Sequence, residues 1–146
     1  MRILQILFLL TLIGCTKKTD DTLVLNTEPF VSFELDSMCE NDRSFILFKD
    51  KKIDFGKVKK KDVSNILIHF PYANVGYTEL VIFKADVSCN CLTATYPTTP
   101  LARGKIGVMK VSIDIREQRG AFNKNVFIKS NATNDVEIIR IKGVVE

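Results

Sequence analysis

The chain has 146 residues, 46% of them hydrophobic and 26% charged, with a formal net charge of +4. That length carries one domain with a real core, and a charge so mild, with lysines spread among acids, argues against a nucleic-acid binder. The run Lys57, Lys59, Lys60 and Lys61 reads as a solvated turn, and with no tryptophan and a single histidine the chain has little material for sugar stacking or acid–base chemistry.

Arg2 gives a positive start, and Ile3 to Ile13 then runs apolar except for Gln5 and Thr11. This is the pattern of an export signal. At about 1.5 Å per residue the run rises roughly 16 Å, too short for a hydrocarbon layer of about 30 Å. Leu12-Ile13-Gly14-Cys15 closes it. The stretch resembles the lipobox of bacterial lipoproteins, and the resemblance implies cleavage between Gly14 and Cys15 with acyl chains on Cys15. The competing reading is an ordinary secretory signal with a chance cysteine. The expectation is a signal peptide over residues 1–14 and a lipid anchor at Cys15. The protein is then expected in a bacterial cell envelope, the outer membrane favoured, facing the periplasm or the cell surface.

Residues 15–22 continue as Thr-Lys-Lys-Thr-Asp-Asp-Thr after the cysteine. They have nothing to bury and read as a tether. Residues 23–51 form an N-terminal extension. Phe30 to Leu35 alternates apolar and polar as a half-buried strand does. Met38 to Ser44 reads as a loop containing Cys39, and Phe45 to Phe48 as a short strand, so an extra N-terminal hairpin is expected.

From residue 52 to 146 the pattern is regular. Ile53 to Gly56 predicts a short strand ending in glycine. Asn65 to Asn74 alternates, with Ile66, Ile68, Phe70 and Tyr72 on one face. Asn74-Val75-Gly76 predicts a turn in which Gly76 is free to take positive φ. Leu80 to Val87 follows as a strand with Leu80 and Ile82 on one face. Pro97 and Pro100 make a loop whose exit Gly104 and Gly107 bracket. Met109, Val111 and Ile113 alternate, Val126 and Ile128 point inward after Gly120, and Ile139 and Ile141 lead the last strand. Ser130 to Asp135 is a turn. No window carries a sustained helical period. Short strands at this spacing predict an all-β, immunoglobulin-like antiparallel sandwich of about seven strands.

One set of residues is more specific. Phe70-x-Tyr72-x-Asn74-x-Gly76, then Leu80-x-Ile82, then Ser88-Cys89-Asn90-Cys91 resembles the bacterial family DUF1573. The likeness continues through Pro100, Gly104 and Gly107, Phe122 to Lys124, Ser130-Asn131 and Ile141-Lys142-Gly143. It implies an immunoglobulin-like sandwich of the kind in sperm-protein and ciliary modules, often on exported lipoproteins, with no enzymatic activity to transfer. Asn90 and Leu92 depart from the glycine and threonine of the family's cysteine signature. Ala102-Arg103 stands where proline usually precedes the loop glycine.

Cys89-Asn90-Cys91 is the candidate for chemistry. Export permits disulfides, and with Cys15 acylated the remaining cysteines are Cys39, Cys89 and Cys91, which allow one pair and leave one thiol over. In an extended strand, residues i and i+2 lie ~6.6 Å apart, so a bond between Cys89 and Cys91 needs a tighter bend. Three uses compete. The favoured one is packed thiols at one end of the sandwich. The second is a staple, Cys39 to Cys89 or Cys91, or between the neighbours. The third is metal binding or redox exchange. A metal would need Cys39 or His69 as further ligands, and His69, opposite Phe70, is expected to face solvent. Asn131-Ala132-Thr133 matches a glycosylation sequon but reads better as a polar turn. The functional expectation is a non-enzymatic, lipid-anchored module that binds the membrane through its lipid and another protein through its sheet edges or end loops. It has no cofactor, metal or catalytic residue. The alternative is a thiol-redox or metal-binding envelope protein using the Cys-Asn-Cys motif.

Overall fold

The computed structural model describes residues 22–25 and 42–146. The signal, nearly all of the tether, the stretch Phe30 to Leu35 and Cys39 lie outside the described residues. Among the described residues there are nine strands and no helix. They are β1 (Thr22–Leu25), β2 (Ile46–Phe48), β3 (Lys52–Val58), β4 (Asn65–Asn74), β5 (Ile82–Val87), β6 (Leu92–Thr95), β7 (Ile106–Asp114), β8 (Gly120–Ser130) and β9 (Val136–Val145). The first sheet runs β1-β4-β7-β6, with β2 also on β4, and the second runs β3-β9-β8-β5. The fold is the all-β two-sheet sandwich that the alternation predicts.

Alternation along β4 drives the core. Ile66, Ile68, Phe70 and Tyr72 all point inward and are buried. Each faces a residue of β7 that shares its side of the sheet: Ile113, Val111, Met109 and Gly107. The second sheet answers with Val126 and Ile128 of β8 and Ile139 and Ile141 of β9, also buried. Each such side chain contributes about 1.5–3 kcal/mol of burial.

Two glycines are seats for aromatic rings. A Cβ on Gly107 would lie 2.5 Å from Cζ of Tyr72, and one on Gly143 would lie 2.2 Å from Cε2 of Phe55. Phe55 in turn tilts against Phe122, with ring centroids 5.5 Å apart. Family-like glycines at 107 and 143 are thus packing positions.

The other edge of β4 is shared. β1 pairs in parallel with residues 65–68, and β2 pairs antiparallel with residues 72–74. Pro71 sits between the two segments. Its carbonyl accepts the Lys49 N–H at 2.9 Å, so that edge of β4 is the one facing β2. A strand residue directs its N–H and C=O to the same edge, so the donor that proline lacks falls at the break between β1 and β2. That is how an interior strand tolerates a proline.

Several local expectations change. The sandwich takes in residues ahead of Lys52, since β1 and β2 both join β4. The first arm of the expected hairpin, Phe30 to Leu35, is outside the described residues, and its second arm is β2. Ile53 to Gly56 does not end at the glycine. Gly56, at φ 72°, forms a bulge where the register on β9 shifts, its N–H donates to Asp54 Oδ1 at 2.8 Å, and β3 continues to Val58. Gly76 is not at positive φ. It is glycine because a Cβ there would lie 2.3 Å from the Phe45 nitrogen. β6 is additional to the strands that the alternation predicts, and the pairings β1–β4 and β3–β9 are parallel within an otherwise antiparallel sandwich.

Candidate functional site

The chain leaves the second sheet at Val87 and enters the first at Leu92, so Ser88 to Cys91 is the rim where it changes sheets. A disulfide joins Cys89 to Cys91 there. Their Cα atoms are 5.1 Å apart, closer than ~6.6 Å in an extended strand, so the turn supplies the needed bend. This replaces the favoured expectation of packed thiols. It also leaves neither sulfur for a staple to Cys39.

The turn is tied down on both sides. Leu92 N–H donates to the Cys89 carbonyl at 3.1 Å, and Asp114 N–H to the Cys91 carbonyl at 2.9 Å. Ser88 N–H donates to the Asn125 carbonyl at 3.0 Å, and Asn125 N–H returns to Ser88 Oγ at 2.9 Å. Cys91 N–H points at Cys89 Sγ, 3.1 Å away. Both cysteines are half-buried and Asn90 between them is exposed. Cys91 packs against the core cluster. Beyond the turn, Arg116 closes on both carboxylate oxygens of Asp114, Nε on Oδ1 and Nη2 on Oδ2, and holds that carboxyl down at about 2 by hydrogen bonding.

His69 is not brought to this turn. It lies across from Lys110, whereas the cysteine turn is tied at Asp114. It is half-buried rather than facing open solvent. Among the described residues no three metal-ligating side chains cluster. Cys15 and Cys39 lie outside the described residues.

The opposite end of the sandwich is latched by asparagines. Buried Asn74 donates to the carbonyls of Thr78 and Leu101, both at 2.8 Å, and accepts the Gly76 N–H at 3.0 Å. Asn131 donates to the Glu79 carbonyl at 2.8 Å and accepts the Val81 N–H at 2.8 Å. Asn134 clasps Ile46 of the other sheet through both its N–H and its carbonyl, at 3.1 and 2.7 Å. Sequence reasoning placed Asn74 in a turn but missed the latching roles of Asn131 and Asn134.

A third feature was also missed. On the outer face of the second sheet, Asp86, Phe127 and Ile138 lie side by side across β5, β8 and β9, with Lys84, Lys129 and Val136 in the next row. Phe83 stands beside them, in the register shift of β5. Phe83 is 63% exposed, Val136 46% and Ile138 44%. The available signal was phase: Phe127 and Ile138 are apolar but fall out of step with inward Val126, Ile128, Ile139 and Ile141.

The family described as "Protein of unknown function (DUF1573)" matches residues 46–145, most of the chain. No curated protein matches the sequence. Among solved structures, a protein of unknown function from Porphyromonas gingivalis W83 is similar, 17% identical with a TM-score of 0.62, over 69% of this chain and 46% of that one. The ASH/PapD-like domain 7 of human CEP192 is 12% identical with a TM-score of 0.55, over 82% of this chain and 97% of the domain. The VesB protease of Vibrio cholerae is 11% identical with a TM-score of 0.52, over 72% of this chain and 32% of the protease. This chain thus spans under half of the Porphyromonas protein. At these identities the likeness is one of fold, a PapD-like, immunoglobulin-like sandwich.

Proposed function

We propose that this chain, which belongs to the DUF1573 family of proteins of unknown function, is a non-enzymatic cell-envelope module. Lipid-anchored through Cys15, it holds another protein on the outer face of its second sheet. The observation that carries the reading is the apolar strip there, with Phe83 63% exposed beside Phe127, Val136 and Ile138. Apolar side chains grouped on one exposed face mark a surface that a partner covers. Lys129 and Arg140 share that face beyond the Lys84–Asp86 ion pair and favour a partner segment that is apolar with acidic flanks. The polar residues after Cys15 suit a spacer that lets the domain stand off a membrane, the outer membrane being the favoured one.

Affinity capture from native envelopes tests the reading, using the anchored wild type and a Phe83→Asp/Ile138→Asp double variant. Both substitutions are outward, so the variant should keep its circular dichroism. The wild type is expected to retain a specific protein that the variant loses at least tenfold. Equal recovery by the two overturns the assignment of the face.

A further inference from the structure

We infer that the Cys89–Cys91 bridge is a reversible redox site, opened by a dithiol reductant of the compartment, with Cys89 the sulfur that carries the mixed disulfide. Four observations converge on it.

The bridge spans a sequence separation of only 2. Closing so short a loop removes little entropy from the unfolded chain, so the bond contributes least where long-range disulfides contribute most. The turn it closes is held without it. Asp114 N–H on the Cys91 carbonyl and the Ser88–Asn125 pair fix the backbone on either side. The bridge can therefore open while the sandwich stays closed.

The turn is also reachable. It lies on the rim between the sheets, with Ser88 and Asn90 exposed. The two sulfurs are not equivalent. Cys91 packs against the core cluster, whereas Cys89 has the Cys91 N–H aimed at its sulfur, 3.1 Å away. A backbone donor favours the thiolate over the thiol at Cys89. Packing of Cys91 against the core leaves Cys89 the sulfur open to attack, and the stabilised Cys89 thiolate then leaves readily when the mixed disulfide is resolved.

The steps balance. A reductant thiolate attacks Cys89 Sγ, the S–S bond breaks, and Cys91 leaves with the electron pair and takes a proton from water. The reductant's second thiol loses its proton to water and attacks its own sulfur in the mixed disulfide. Cys89 is released as a thiolate against the Cys91 N–H. Two electrons pass to the protein and the reductant becomes a disulfide. This is a stoichiometric change of state of the module, so it stands independently of which protein the outer face holds.

The test uses the full-length protein in Cys39→Ser form, equilibrated with stepped ratios of reduced to oxidised glutathione. Alkylation and peptide mapping then read each cysteine, and rates are followed against pH in single-cysteine variants. Three results are expected. Cys89 and Cys91 convert together within the range of the glutathione buffers. Glutathione is trapped on Cys89 in Cys91→Ser but far less on Cys91 in Cys89→Ser. Reduced Cys89 alkylates at neutral pH at least tenfold faster than Cys91, with a rate midpoint below the ordinary thiol range, while the melting temperature moves by only a few degrees. A bond that stays closed across all ratios, or equal and ordinary reactivity of the two thiols, overturns the proposal and leaves a purely structural bridge.

Discussion

At the scale of single residues, burial and register decide what matters. Phe70 is fully buried opposite Met109, while Leu67, three positions back on the other face of β4, is only half-buried. Phe70→Ala should therefore cost about 3–5 kcal/mol, and Leu67→Ala much less. Equal losses in denaturant titration would mean that the inward register of β4 is wrong. Tyr72 makes a prediction about pH. Burial pushes its hydroxyl up from 10.0 to about 12, so the folded state resists ionisation that the unfolded state accepts. The stabilising difference is fully present below pH 10 and is lost as pH rises towards 12. Tyr72→Phe should abolish that alkaline loss. An unchanged alkaline melting profile in the variant would show that Tyr72 is not its source. Asn74 shows the same economy for polar groups, since burying it is tolerable only because its side chain meets four backbone partners.

At the scale of elements, the sandwich rests on glycines that yield space to rings. Adding a methyl at Gly143 drives it into the Phe55 ring of β3, an overpacking that costs typically 1–3 kcal/mol. Gly143→Ala should lower stability by about that much, and Phe55→Leu in the same chain should recover part of it. Strict additivity of the two losses would contradict the seat. The same elements show what a sequence can reveal. β4, β7, β8 and β9 are long enough for alternation to declare them and their inward faces. β6 and β1 have four residues each, and β2 has three. Too short to alternate visibly, they exist because β4 and β7 offer them edges. Cys89-Asn90-Cys91 was legible as a motif, but its bond was not, because the bend that shortens the Cα separation belongs to a crossover between sheets. The roles of Asn131 and Asn134 were hidden for a related reason. Their partners Val81 and Ile46 are 50 and 88 residues away, beyond any local pattern.

At the scale of the whole molecule, the proposal joins an anchor at one end of the sequence to an apolar face on the second sheet. The anchor predicts that Cys15→Ser releases the protein from the membrane fraction or leaves an unprocessed precursor. Full membrane retention with a processed N-terminus would remove the lipid from the account. The central claim, that the anchored sandwich holds a protein on that face, is tested most directly by photo-crosslinking inside the native envelope. A photoreactive residue is placed at position 83 and, as a control, at exposed position 117. A discrete protein adduct from position 83, absent from position 117, is the predicted result. The same adducts from both positions, or none from position 83, would contradict it.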